Sequence, residues 1–522
     1  MKKNILLIIL FLIFQLCQVL KAYKVLVYSQ TLTRSHVILN AKVAEALASD
    51  GHNVTILEVE YMEPLAEFEG SSAKGVRKIS VKTDLNNAKE TIQQKFIEIY
   101  FKEATAWSLI TGYKNDEDFQ NTINEVCEHF LDTQTELIEQ LKNEKFDLFI
   151  GEQINFCGSA LSYLFGIPIH ILLTILEVEY MEPLTEFEGS SAKGVKKISV
   201  RTDLNKAKET IQGRLTEIYF KEATACCPIQ EHVSSLVGMP FPASYVPSIY
   251  GVPMSDKMSI NQRFSNLVAT FVHERAFYYG IEELNELFRR RFGSNYPTIQ
   301  NIVKETPLVF VNVDEFVDFP RPINPNVVYI GGLGFNKITT KTTNLKEPYL
   351  TEINKGRGTI YFSLGSLLNT NTLPNNFIKN LFASFGSLKE WHFIVKISEG
   401  DEHSLEMSKN YSNVFLTSWA PQRAILEHSN TKLFISHGGY NSLMEAALSA
   451  TPIISFGFFA EQRRNSLVPE RNGWGKSFNK ALLLNGKEEF VGGIQTILND
   501  PKYAEEAKRL SKLLANKANF NF

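Results

Sequence analysis

The sequence predicts an α/β protein built as two doubly wound domains, and three observations carry that expectation. A chain of 522 residues is longer than one hydrophobic core ordinarily fills. Its first residues beyond an apolar leader spell a strand–helix–strand unit. A second series of strand, glycine-turn and helix units follows a proline-rich stretch and runs to about Leu498.

The first unit opens at Lys24–Ser29 (KVLVYS), a short apolar run of the kind found in buried parallel strands. Val37–Leu47 carries apolar residues at helical spacing, Gly51-His52-Asn53 stops it, and Val54–Leu57 begins the next strand. The pattern returns at Phe146–Ile150, followed by a turn at Gly151–Asn155, a helical stretch to Phe165, and a strand after Gly166-Ile167-Pro168. Asp318–Asn326 (DFPRPINPN) reads as a domain linker. Beyond it Val327–Ile330 should open the second domain, followed by strands at Thr359–Phe362, Leu433–Ile435 and Ile453–Phe456. The last helix, Lys502–Leu514, is charged and amphipathic. The expected division is a leader over 1–22, a first domain over 23–317, a linker over 318–326, a second domain over 327–500, and a helix with tail over 501–522.

Composition narrows the function classes. The chain is 44% hydrophobic and 21% charged, and 54 Lys+Arg against 57 Asp+Glu give a formal charge of −3. Such a balance argues against nucleic acid as a partner. Lys2 and Lys3 precede an apolar run from Ile5 to Phe14 and a softer stretch to Ala22, the layout of a secretory signal peptide. An uncleaved anchor is the alternative, but the run falls short of the ~20 residues a spanning helix needs. Beyond Cys17, four cysteines remain (Cys127, Cys157, Cys226, Cys227), too few for a disulfide scaffold. No Cys/His spacing reads as a zinc site, and no metal or other cofactor is expected.

An internal repeat is the oddest feature. Thr55–Ala106 matches Thr174–Ala225 at 44 of 52 positions. Near identity over two copies differs from the weak similarity of solenoid repeats. A recent tandem duplication or a misassembled gene interrupting the first domain is the expected reading, in preference to a functional repeat, with one copy lacking a place to pack.

The stretch richest in chemistry runs from Trp419 to Gln462. Strand Leu433–Ile435 feeds a tight loop, Ser436-His437-Gly438-Gly439, and Asn441-Ser442 can cap the helix that follows. Backbone N–H groups and the positive end of a helix dipole meet there with little side-chain bulk, which suits a diphosphate. His437 adds a donor, and Glu445, one turn into the helix, can accept from ribose hydroxyls. Taken alone, a loop of this kind is common in α/β proteins. The order Trp419, Pro421-Gln422, His437-Gly438-Gly439, Asn441, Glu445, Pro452, Glu461-Gln462 is more specific.

That order resembles the donor-binding signature of the UDP-glycosyltransferases, in particular the animal UDP-glucuronosyltransferases. DFPRP, Gly331-Gly332 and FSLGS (Phe362–Ser366) occur in the family's order, and the resemblance spans Lys24 to Leu514 apart from the second repeat copy. It implies the GT-B arrangement, two Rossmann-like domains facing across a cleft. It implies that Trp419 stacks on uracil and that Gln422 bonds the nucleoside. His437, Gly439, Asn441, Ser442 and Ser366 would hold the diphosphate, Glu445 the ribose, and Glu461 and Gln462 the sugar hydroxyls. The family's base is a histidine after the first strand, and Ser35-His36 occupies that place. Glu152, at the end of Phe146–Glu152, stands where the family has the partner carboxylate, whereas Asp147 lies at the strand's other end. Imidazole suits proton removal from a hydroxyl, and a carboxylate fixes its tautomer.

The implied reaction is metal-free, inverting transfer of glucuronic acid or glucose from a UDP-sugar to a hydroxyl of a small lipophilic acceptor, with UDP-glucuronate or UDP-glucose as co-substrate. A rival expectation is a non-catalytic UDP-sugar or lipophile-binding protein, disabled by the duplication. Relative to the family, Glu152 and Glu461 replace aspartates, Gly457 replaces a proline, and Asn312 stands where many relatives have an arginine near the sugar carboxylate. Donor preference therefore stays open. The resemblance also implies the endoplasmic reticulum lumen and a membrane anchor, yet the chain stops at Phe522 before any such span.

Overall fold

The computed structural model describes residues 22–31, 34–61, 75–83, 106–152, 155–174, 228–249, 251–331, 345–365, 368–458 and 461–517. The signal-peptide reading and Ser366 lie outside these residues.

Two parallel sheets organise the molecule. The first contains β1 (Lys24–Gln30), β2 (Asn53–Val59), β3 (Arg77–Val81), β4 (Leu148–Glu152), β5 (His170–Thr174), β6 (Leu308–Val311) and β7 (Val327–Tyr329), in the order β3-β2-β1-β4-β5-β6-β7. The second contains β8 (Thr359–Ser363), β9 (His392–Lys396), β10 (Val414–Thr417), β11 (Thr431–Ser436), β12 (Ile453–Phe456) and β13 (Gly475–Phe478), in the order β10-β9-β8-β11-β12-β13. Val25, Leu26 and Val27 in β1, and Leu433, Phe434 and Ile435 in β11, are fully buried. Continuous apolar strands of this kind are covered on both faces, so the chain must cross over by helices. In each sheet the order reverses once, between β1 and β4 and between β8 and β11. Helices diverge to opposite faces at such a reversal and leave a crevice at the strands' C-terminal ends.

The helices that frame the crevices are α1 (Arg34–Ser49), α2 (Ala106–Thr133), α3 (Cys157–Leu164), α4 (Glu231–Leu236), α5 (Ile260–Phe292), α6 (Gln422–Glu427), α7 (Tyr440–Leu448), α8 (Gln462–Asn465) and α9 (Pro501–Lys517). A capping box starts α5, with the Ser259 hydroxyl accepting from the Gln262 N–H and the Gln262 side chain accepting from the Ser259 N–H. Asn124 of α2 donates to the Gly280 carbonyl of α5 at 2.9 Å. A disulfide between Cys127 and Cys157 ties α2 to α3. Cysteine spacing could not have revealed this pairing, because the two thiols meet only when α2 packs beside the crossover after β4.

Two expectations need correction. Val327–Tyr329 does not open the second domain. It pairs with Val309–Val311 and closes the edge of the first sheet. Asp318–Asn326 is therefore a connection within the first domain, not an interdomain linker. Its prolines deny it regular structure, as read, but its apolar flanks Val311, Val313, Val327 and Val328 are buried and draw both ends back to one sheet. The first repeat copy contributes β2 and β3. The second lies outside the described residues except for Thr174, which ends β5.

The domains meet through the connection after β6 and the stretch before α5 on one side and the helical segments after β11 and β12 on the other. The Tyr440 hydroxyl bonds the backbone N–H and carbonyl of Asp314 at 2.8 and 3.1 Å. Arg471 pairs bidentately with Asp256 at 2.6 and 2.9 Å. Arg464 pairs with Asp318 at 2.5 Å. Across the second domain, α9 lies on α7, where the Ser511 hydroxyl donates to the Leu448 carbonyl at 2.7 Å. Among the described residues no helix is long and apolar enough to cross a membrane.

Candidate functional site

The second sheet's crevice is built by the loop after β8 and the loop after β11. The latter runs Ser436-His437-Gly438-Gly439, and the Gly438 N–H donates to the Ser436 hydroxyl at 3.3 Å. Helix α7 starts at Tyr440, with Gly439 as its N-cap and no side chain capping it. The expectation that Asn441 and Ser442 cap the helix is thereby corrected. They lie inside its first turn, because the chain needs only glycines to turn from β11 into helix. A helix start without a side-chain cap directs its first N–H groups and positive dipole end at the crevice.

His437 is 5% exposed and its imidazole lies against Gly365, the residue two past the end of β8. Gly365 has φ +78°, and a Cβ there would come within 2.8 Å of the imidazole Cε1 and Nε2. Both the backbone conformation and the room for the ring require glycine at this position.

Around α7 the structure gathers Gln422, Ser442 and Glu445. The Gln422 amide, at the start of α6, donates to Glu445 Oε2 at 2.5 Å and to Ser442 Oγ at 3.3 Å. Trp419, on the segment entering α6, is half-buried. Its ring meets Tyr349 edge-on at 6.3 Å, and its carbonyl accepts from the Tyr349 hydroxyl. Glu461 and Gln462 are fully buried at the start of α8. A Cβ at Gly457 would come within 2.5 Å of the Arg463 Cα and 2.8 Å of the Gln462 carbonyl oxygen. The backbone of α8 thus sits closer to this loop than a proline would permit.

The first sheet's crevice lies between the ends of β1 and β4. Glu152 is the last residue of β4, 2% exposed, and it accepts a hydrogen bond from the amide of Asn40. The same amide lies 3.1 Å from the Ser29 hydroxyl, which accepts from it at the end of β1. His36 falls in the first turn of α1, one turn before Asn40, and its side chain lies outside the described residues. Asn40 escaped the sequence reading. The one available signal was its i,i+4 spacing from His36, which puts both on one helix face. Asp147 lies at the opposite end of β4, where its carboxylate accepts from the Lys24 N–H at 2.8 Å.

A buried polar network, also unread from sequence, backs this crevice. The Gln30 amide donates to the Tyr61 hydroxyl at 3.4 Å and the Asn155 carbonyl at 3.3 Å. The Tyr28 and Tyr61 hydroxyls are 3.2 Å apart, and the Asn155 amide donates to Asn124 at 2.9 Å. Burial pushes both tyrosine hydroxyls well above their ordinary pKa, so they act as neutral donors. Asn312 follows β6 and is 5% exposed.

The profile of the family described as "UDP-glucoronosyl and UDP-glucosyl transferase" matches residues 23–214 and 206–518. The chain belongs to the UDP-glycosyltransferase family. The two matched stretches overlap inside the second repeat copy, so the family pattern is interrupted where the duplication lies. Among relatives of this UDP-glycosyltransferase, the Caenorhabditis elegans protein named UDP-glucuronosyltransferase ugt-48 is 32% identical over 96% of this chain and 84% of its own length. UDP-glucosyltransferase 2 of Dactylopius coccus is 33% identical over 54% of this chain and 52% of its own. The solved structure of the kitacinnamycin glycotransferase superposes with a TM-score of 0.58 at 15% identity, covering 96% of both chains. The spinosyn forosaminyltransferase SpnP superposes at 0.51 with 13% identity and 94% coverage of both. At such identities the likeness carries the fold alone, the GT-B arrangement of two Rossmann-like domains. Family membership implies a UDP-sugar donor and an acceptor substrate.

Proposed function

We propose that this UDP-glycosyltransferase transfers glucose or glucuronic acid, with inversion, from a UDP-sugar to a hydroxyl of a small lipophilic acceptor. The observation that carries the reading is the pairing of two switch-point crevices, one at Glu152 and one at the His437 loop, in domains joined where the Tyr440 hydroxyl bonds the backbone of Asp314 after β6.

His36 takes the acceptor's proton as the acceptor oxygen attacks the anomeric carbon. Glu152, oriented by Asn40, stabilises the imidazolium that forms. The bond from the anomeric carbon to the β-phosphate oxygen breaks, and its electron pair leaves with UDP. The start of α7, His437 and Ser366 stabilise that leaving diphosphate, with Gly439, Asn441 and Ser442 around it. Trp419 stacks on the uracil beside Gln422, Glu445 holds the ribose, and Glu461 and Gln462 orient the hexose. Asn312, lacking the charge of an arginine, supplies no cation to hold a sugar carboxylate and so does not favour glucuronate over glucose.

The test is UDP release from UDP-glucose and from UDP-glucuronate, with a panel of phenols and with EDTA present, in the wild type and His36→Ala. Acceptor-dependent release that the variant loses is the expected result. If both folded proteins bind UDP and neither transfers sugar, the chain is a UDP-sugar-binding protein without catalysis.

A further inference from the structure

The connection from β6 to β7 carries two charged side chains, three residues apart, that reach in opposite directions. Asp318 is 5% exposed and pairs with Arg464 of the second domain, itself 2% exposed, whose guanidinium also lies 4.8 Å from the Phe319 ring. Arg321 turns back into the first domain. Its guanidinium donates to the Ile229 carbonyl and the Ser234 hydroxyl of α4, each at 3.0 Å, and stacks 5.3 Å from the Phe241 ring. Burial lowers the Arg321 pKa to about 10, and Asp318, Arg464 and Glu231 all act on it electrostatically.

Arg464 belongs to the same short helix as Gln462, and its N–H donates to the Glu461 carbonyl at 3.0 Å. A shift of Arg464 therefore passes to both residues proposed to hold the sugar. Asp318 Oδ2, Arg464 Nε and Arg321 Nε are buried without hydrogen-bond partners among the described residues. A charge pair that leaves such atoms over is poorly built for stability alone, since well-packed apolar groups usually do as well or better.

We infer that Asp318 and Arg321 are positioning residues, a two-sided clamp that sets Glu461 and Gln462 relative to the acceptor domain. The inference rests on the proposed donor-sugar role of those two residues. Asp318 fixes the sugar-holding helix to the connection, and Arg321 fixes the connection to α4. The sugar is thus registered against the acceptor through one continuous chain of contacts.

Titration calorimetry with UDP and with UDP-glucose tests the clamp on the full chain, alongside steady-state transfer and acceptor-independent hydrolysis. In Asp318→Asn, UDP affinity should hold while the affinity for UDP-glucose relative to UDP falls about tenfold, because a misplaced contact costs binding only at the sugar. Asp318→Glu should recover part of that ratio. In Arg321→Gln, both nucleotide affinities should hold, transfer kcat should drop about tenfold, and hydrolysis should persist. Should Asp318→Asn not fold, Arg464→Lys, which keeps the charge, carries the same expectation. An unchanged ratio of UDP-glucose to UDP affinity, or losses that only track the melting temperature, would overturn the clamp. A wild type that binds UDP-glucose no better than UDP and transfers nothing would instead sink the transferase reading.

Discussion

Gly365 and His437 are fitted to each other: a Cβ on the glycine would come within 2.8 Å of the imidazole. The two residues come from adjacent strands at the sheet's reversal, β8 and β11, so their contact fixes the width of the crevice floor. Gly365→Ala should weaken UDP binding at least about tenfold, by displacing the ring and straining the backbone at φ +78°. Gly400→Ala is the control, because Gly400 has φ +74° with nothing near its Cβ position. It should cost about 1 kcal/mol of stability and leave UDP affinity alone. Equal effects on UDP binding would mean that the contact with His437 is irrelevant.

The hydrogen bond from Asn40 to Glu152 makes α1 the support of the proposed base. Asn40→Ala takes one hydrogen-bond donor away from the buried Glu152 carboxylate. Transfer kcat should fall by about tenfold to a hundredfold with UDP affinity unchanged. A variant with full activity would show that the Asn40 bond is not what orients Glu152 for transfer.

Glu445 accepts from Gln422 and is proposed to accept from ribose. Glu445→Gln should bind UDP about tenfold more weakly, the usual scale for losing a charge-assisted hydrogen bond. The sharper readout is 2′-deoxy-UDP, whose affinity should barely change. If UDP and its deoxy analogue lose affinity equally, Glu445 contacts something other than the ribose.

His170 offers a pH test of the fold. Burial at the start of β5, edge-on to Phe149 at 5.1 Å, lowers its pKa from 6.5 to about 4. The unfolded chain therefore binds a proton that the folded chain refuses between those values. Stability from this residue is complete above about pH 6.5 and is lost as pH falls toward 4, by roughly 3 kcal/mol. Urea midpoints at pH 7 and pH 5 should drop less in His170→Gln than in the wild type. Identical drops would assign the acid sensitivity to other groups.

Much of the architecture was legible because it is written in short range. The apolar run of β1, the glycines after β11 and the helical spacing over Val37–Leu47 each report a local physical need, and the structure has a strand, turn or helix at each. Gly457 was legible as a departure from the family, but its reason was not. That reason is the Arg463 and Gln462 backbone, which packs against it from the following helix.

What the sequence by itself determined is the class of fold and the family, through local strand, turn and helix signals and an ordered set of short motifs, and it marked the glycine loop proposed to hold a diphosphate. Tertiary structure alone decided that Val327–Tyr329 belongs to the first sheet, since a three-residue apolar run pairs with whichever edge is open. It likewise decided the partners of Asn40 and Glu152, of Cys127 and Cys157, and of Asp318 and Arg464. Each of those pairs joins residues at least 30 positions apart, where local propensity says nothing and only the packing of the whole chain brings the groups within bonding distance.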